Sequence, residues 1–199
     1  MIVGLTGPTG SGKSTVAKFL EDMDFVILDY DKISRDTSTK GSPCLLELTK
    51  EFGDEILDSY GELQRKLLGK IVFSDSKKLE TLNRITHKYI LKESDRIISE
   101  NYGRNIVLDA PLLFEADLDK KCDFVIGVVA PEELRIDRIC KRDSIDKSIA
   151  MARISNQHSE EFFRKYCDYI IENTKDAEYV KNQIREIFNA ENFKQKSDC

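Results

Sequence analysis

Residues 7–15 read GPTGSGKST, and no other stretch constrains the chain as strongly. Gly7, Gly12, Lys13 and Ser14 stand at the fixed positions of a G-x-x-x-x-G-K-[ST] phosphate loop. The preceding residues, IVGLT at 2–6, are apolar and β-branched enough for a buried strand, and the residues from Val16 to Glu21 continue as a helix. Strand, glycine loop and helix are the context this motif needs. The loop turns backbone N–H groups inward, and the helix start adds unpaired donors and the positive end of a dipole. Glycines let the backbone approach phosphate oxygens with no Cβ in the way. Lys13 is placed to reach the β- and γ-phosphates, and the Ser14 hydroxyl to hold Mg²⁺.

The rest of the chain must then supply what such a loop serves. The chain has 199 residues, enough for one α/β domain with an insertion. Its 31 basic and 36 acidic residues leave a net charge of −5, which argues against a general binder of nucleic acid or membrane surfaces. No apolar run approaches the length of a membrane span. The chain starts directly with strand-forming residues, so no signal or transit segment is expected. Cysteines 44, 122, 140, 167 and 199 are scattered with no C-x-x-C pair, which reads as free thiols in a reducing cytoplasm.

A second buried strand is expected within 24–30, DFVILDY. Asp29 and Asp31 admit two readings. If the strand continues, alternation puts both carboxylates on one face, near ligands that sit beyond the carboxyl ends of strands. Alternatively they cap the next helix. Residues 32–103 contain no convincing strand. Ser42-Pro43 opens a helix, with Gly53 as its stop, and helical spacing recurs over 63–72 and from about Lys77 to Glu100. This helical insertion is too long for a crossover loop, and Gln64, Arg65 and His87 are its candidates for substrate contact.

A third strand with a tight exit is expected within 106–115, its ladder ended by Pro111, with Asp109 near its carboxyl end where a Mg²⁺ site would lie, and further strands are expected at 124–130 and 167–173. Pro131 starts a helix whose Arg135, Arg138 and Arg142 share one face, and a second helix from about Asp146 to Gln157 carries Arg153. Together they suggest a lid that places cations over a triphosphate; an exposed basic face is the plainer alternative. An amphipathic helix over 177–188 packs on the sheet, and the tail from Glu191 reads as polar and frayed.

These pieces resemble the dephospho-coenzyme A kinase family over nearly the full length. The resemblance rests on the loop, LDYDKISR at 28–35, LQRKLLGKIVF at 63–73, THKYI at 86–90, VLDAPLLFE at 107–115, RICKRD at 138–143, ARISNQ at 152–157 and CDYIIEN at 167–173. It implies phosphorylation of the ribose 3′-hydroxyl of dephospho-coenzyme A by ATP with Mg²⁺; from charge, thiols and hydropathy the chain is expected to be cytoplasmic and to bind no nucleic acid or membrane, and a monomer or weak homo-oligomer is expected. It implies an α/β, P-loop kinase-type three-layer fold: a five-stranded parallel sheet in a core of 1–31, 104–130 and 160–199, a substrate insertion over 32–103 and a lid over 131–159. Gly10, Ser11, Gly12, Lys13, Ser14 and Thr15 would bind the ATP phosphates, with Arg138, Arg142 and Arg153 from the lid and Asn173 on the adenine side. Asp31 would be the general base, beside catalytic Lys13, Arg138 and Arg142. Asp29, Gln64, Arg65 and His87 would serve the substrate, and Ser14 and Asp109 the metal, Asp109 through water.

The chain departs from the family pattern twice. Pro8 replaces a usual second glycine and removes one N–H, and Lys88 follows His87 where the family usually has proline. Another small-molecule kinase, a GTP-driven switch and a non-catalytic nucleotide module are the competing readings. The switch lacks a well-ordered N-K-x-D, since 173–176 reads NTKD.

Overall fold

A computed structural model describes the backbone of residues 1–197 and the side chains through 191. Its elements run β1 (Ile2–Thr6), α1 (Lys13–Asp22), β2 (Val26–Asp29), α2 (Tyr30–Thr37), α3 (Pro43–Phe52), α4 (Arg65–Phe73), α5 (Ser76–Glu100), β3 (Ile106–Asp109), β4 (Phe124–Val129), α6 (Glu132–Asp143), α7 (Lys147–Ser155), α8 (Glu160–Tyr166), β5 (Tyr169–Glu172) and α9 (Ala177–Ser197).

The five strands form one sheet in the order β2-β3-β1-β4-β5. β1 is central and pairs in parallel with β3 (Val3 opposite Val107) and with β4 (Leu5 opposite Ile126). β4 pairs in parallel with β5. β3 and β4 are buried along their whole length, as expected for strands covered on both faces by helices. Val3, Leu5, Ile126 and Val128 of the sheet pack with Val16 and Leu20 of α1 and Val180 and Ile184 of α9.

The chain divides into two compact units, one built from residues 1–27 with the chain from Gly103 onward, the other from Leu28–Tyr102. Beyond the end of β2 the second unit is built from helices and has its own core, in which Leu48 and Phe52 of α3, Leu68 and Val72 of α4 and Ile85 of α5 meet. Ser42 caps α3 by accepting from the Leu45 N–H at 3.1 Å, and Pro43 fills the first turn, as the sequence suggests. In the first unit, α6 and α7 carry a small core made by Ile136, Ile139, Ala150 and Ile154.

Three local expectations change. The second strand ends at Asp29 instead of continuing through Asp31, because Asp29 turns the chain into α2. The pair of arginine-bearing helices is followed by a further short helix, α8, that the spacing did not suggest. α9 runs on to Ser197, and Glu191 is not a loose tail residue, since it accepts a hydrogen bond from the Tyr169 hydroxyl. Cys199 lies outside the described residues; the thiols of Cys122 and Cys167 are pushed up to about 12 by burial, which makes them inert at neutral pH.

Candidate active site

The phosphate loop joins the carboxyl end of β1 to the first turn of α1. Two of its glycines are required by contact as well as by backbone. Gly10 has φ +79°, and a Cβ there would come within 2.8 Å of the Arg135 carbonyl oxygen. Gly12 has φ +92°, and a Cβ there would collide with the Asn173 side-chain nitrogen. Only glycine meets both demands without strain.

The loop is held from outside by side chains remote in sequence. Arg135 Nε donates to the Thr9 carbonyl at 3.0 Å. Arg138 Nη1 donates to the carbonyls of Gly10 (3.2 Å) and Ser11 (3.1 Å), and its Nη2 to the Asn173 carbonyl at 3.2 Å. Asn173 Nδ2 donates to the Ser11 carbonyl at 2.8 Å. Gln157 Oε1 accepts from the Thr9 N–H at 2.9 Å. Pinning carbonyls on the outside leaves the opposite side of each peptide for an anion, which is the arrangement a phosphate cradle requires. Within the loop, Ser11 N donates to the Pro8 carbonyl at 3.1 Å and closes a turn, so this N–H is engaged here although the sequence places Ser11 among the phosphate binders.

Lys13 and Asp109 form an ion pair across the loop, bringing together the motif lysine and the carboxylate at the end of β3. Ser14 is exposed in the first turn of α1. Arg135 is 5% exposed, and burial pushes its guanidinium pKa down. Its Nη2 and the Ser11 Oγ are buried without a hydrogen-bond partner among the described residues. Such atoms cost about 1–3 kcal/mol each, and both sit in or against the loop.

The arginines do not share one task. Arg135 and Arg138 grip the loop, whereas Arg142 and Arg153 both engage Asp143. Arg142 Nε reaches Asp143 Oδ1 at 2.8 Å and Arg153 Nη1 reaches Oδ2 at 2.5 Å. Arg142 foremost, then Arg153, hold the Asp143 carboxyl down at about 2. Asn173, expected on the adenine side, is buried with its amide engaged on the loop.

In the helical unit Asp29 is the N-cap of α2, its carboxylate accepting from the Lys32 N–H at 2.9 Å. The capping bond expected in one of the two readings is present at Asp29. Asp31 lies in the first turn of α2 and is exposed. Arg65 Nη2 ties α4 to the end of α2 through the Arg35 carbonyl (3.1 Å) and Ser38 Oγ (2.8 Å). Gln64 instead turns its amide onto the Leu57 carbonyl at 2.6 Å. His87 is half-buried on α5, and the neighbouring Lys88 pairs with Glu47 at 2.8 Å.

Sequence reasoning missed Gln157 as a loop contact and Arg135 as a buried one. It also missed the pair His158–Glu115, 3.0 Å apart beside them. Gln157 lies inside the quoted ARISNQ segment, but nothing in spacing points from it to Thr9, 148 residues away.

A parallel five-stranded sheet, a glycine loop with its lysine, and a helical unit inserted after the second strand define a P-loop small-molecule kinase. Solved shikimate kinases share this fold; the enzyme from Acinetobacter baumannii superposes with a TM-score of 0.54 at 16% identity, over 95% of this chain and 93% of that one. Closer likeness comes from a Thermus thermophilus protein, TT1252 (TM-score 0.83, 30% identity, 96% of this chain and 97% of that one). The dephospho-CoA kinase of Campylobacter jejuni follows with a TM-score of 0.65 at 27% identity, over 95% and 96% of the two chains. In sequence, the dephospho-CoA kinase of Fusobacterium nucleatum is 40% identical over 92% of this chain and 95% of its own length. That of Carboxydothermus hydrogenoformans is 41% identical over 92% and 90%. The dephospho-CoA kinase family model matches residues 1–178, and the chain belongs to this family.

Proposed function

We infer that the protein is an ATP-dependent kinase of coenzyme A biosynthesis that transfers the γ-phosphoryl group to the ribose 3′-hydroxyl of dephospho-coenzyme A. The observation that carries this reading is the braced glycine loop with its Lys13–Asp109 pair, in a chain of this family. The donor is held by the backbone of 10–15 and by Lys13, which exchanges Asp109 for phosphate oxygens when nucleotide arrives. Arg142 and Arg153 reach the phosphates by leaving Asp143, while Arg138 and Asn173 act on the nucleotide through the loop. The core around the sheet serves ATP, residues 32–103 serve the acceptor, and residues 131–159 act as the lid.

Ser14 and Asp109 offer a hydroxyl and a carboxylate, hard oxygen donors that suit Mg²⁺. Among the described residues no group of three or more His, Cys, Asp or Glu side chains gathers into a metal cage. That fits an ion held largely by water and substrate phosphates. The bound ion supplies charge neutralisation; Lys13 and the arginines of α6 and α7 supply the remaining positive charge around the moving phosphoryl group.

Asp31 is the general base. It is an exposed carboxylate in the first turn of α2, open to an incoming hydroxyl. Asp29 fixes that helix start, and Arg65 fixes its far end through Arg35 and Ser38. A carboxylate base contributes about 10² to 10⁴ in rate. Asp31→Asn should therefore lower kcat by at least about 10² with ATP affinity retained. The check is ADP release from Mg-ATP with dephospho-coenzyme A, run beside adenosine monophosphate and shikimate as acceptors. Turnover of the variant within a few-fold of wild type removes Asp31 from the chemistry. ADP release only with a different acceptor removes the substrate.

A further inference from the structure

Thr9 is the one loop residue held at both its N–H and its C=O by side chains: Gln157 takes the N–H and Arg135 Nε supplies the carbonyl bond. These two side chains come from the two ends of the arginine-bearing segment. Arg135 lies in the first turns of α6, and Gln157 lies just after α7. Gln157 is presented from a fixed backbone. The next residue, His158, stacks on Phe162 with ring centroids 3.7 Å apart and planes 8° from parallel, and its Nε2 meets Glu115 at 3.0 Å. Gln157 also lines a cleft of about 320 Å³ whose wall includes Gly7 and Pro8 of the loop and Pro111 after β3.

We propose that Gln157 is a positioning residue for the γ-phosphoryl end of the loop, acting with Arg135 by clamping Thr9, so that both roots of the lid segment are fastened to one loop residue. The donors nearest the start of α1 serve a diphosphate and a triphosphate alike. Thr9 lies at the opposite end of the loop, before the expected donor stretch, and its N–H points to Gln157 rather than to the nucleotide. Its orientation decides how the next peptide, that of Gly10, is presented to the third phosphate. The clamp therefore discriminates ATP from ADP and, by fastening the end of the lid segment, keeps water from the site. This rests on the kinase reading for the identity of the donor, but not on the identity of the acceptor.

The test uses Gln157→Met, which keeps side-chain length and removes the acceptor atom. Gln157 is exposed, so folding is not at stake. ATP and ADP affinities are measured by calorimetry without any acceptor, and acceptor-free ATP hydrolysis is compared with transfer. Asn156→Ala is the local control. It removes a 2.9 Å bond from Asn156 Nδ2 to the Ala152 carbonyl at the end of α7 but leaves Gln157 in place. The expected result is ATP binding weaker by about fivefold, the scale of one lost hydrogen bond, with ADP binding within about twofold and a higher ratio of hydrolysis to transfer. Asn156→Ala should change none of these. Equal losses for ATP and ADP, no loss for either, or the same pattern from Asn156→Ala would overturn the proposal. Because the affinities need no acceptor, they stand even if dephospho-coenzyme A proves not to be turned over.

Discussion

Asn173 shows how much of the site rests on single buried contacts. It is 6% exposed, its Nδ2 holds the Ser11 carbonyl, its own carbonyl receives Arg138, and its backbone N–H completes the ladder to Val129 at 2.9 Å. Asn173→Ala removes the side-chain donor and leaves the Ser11 carbonyl with one partner fewer. The expected cost is about 1–3 kcal/mol, read as a lower urea midpoint at unchanged slope. ATP affinity should fall as well, since the loop loses a brace. A midpoint unchanged from wild type would mean that Arg138 alone suffices to hold Ser11. At this scale the sequence was legible where the geometry is local. Gly10, Gly12 and Lys13 announce their conformation because one short loop dictates it. Asn173 and Gln157 do not, because their partners lie 162 and 148 residues away and only the sheet brings them together.

At the scale of elements, α6 and α7 form the most consequential pair. Their apolar sides meet in a small core, and across it Asp143 links Arg142 and Arg153. The arginine spacing in α6 was readable as one face, yet burial divides that face. Arg135 in the first turn and Arg138 at mid-helix lie against the loop, while Arg142 is exposed near the helix end. Periodicity gives the direction of a side chain but not what covers it. The Asp143 clasp makes a pH prediction. Its folded-state pKa, about 2, lies below the ordinary carboxylate value, so the clasp is complete above about pH 4 and is lost as the pH falls through about 2. Carboxyl-resonance titration should give that midpoint, and Arg142→Ala should raise it more than Arg153→Ala does, because Arg142 is the larger cause. The reverse order would mean that the two arginines exchange roles in solution. The ends of elements were harder to read than their interiors. The second strand and the next helix compete for Asp29, and the outcome depends on its capping bond to Lys32, which strand alternation cannot reveal. The seven-residue α8 is too short for its period to register.

For the whole molecule, the parallel sheet was foreshadowed by apolar strand runs separated by helices, and the helical insertion by a long stretch without strand pattern. The strand order, with β1 between β3 and β4, was not, since each strand is compatible with several neighbours until the helices pack. Among the described residues no helix is long and apolar enough to cross a membrane. The chain divides into a unit that bears most of the sheet and a unit built mainly from helices. The central claim is the transfer of phosphate to one particular hydroxyl. The measurement that tests it most directly is the position of the new phosphate in the product formed from Mg-ATP and dephospho-coenzyme A, read by mass and by phosphorus resonance coupling to the ribose. The account predicts one added phosphate on the 3′-hydroxyl, in step with ADP release. Phosphate on any other hydroxyl, or ADP release with dephospho-coenzyme A left unmodified, would contradict it.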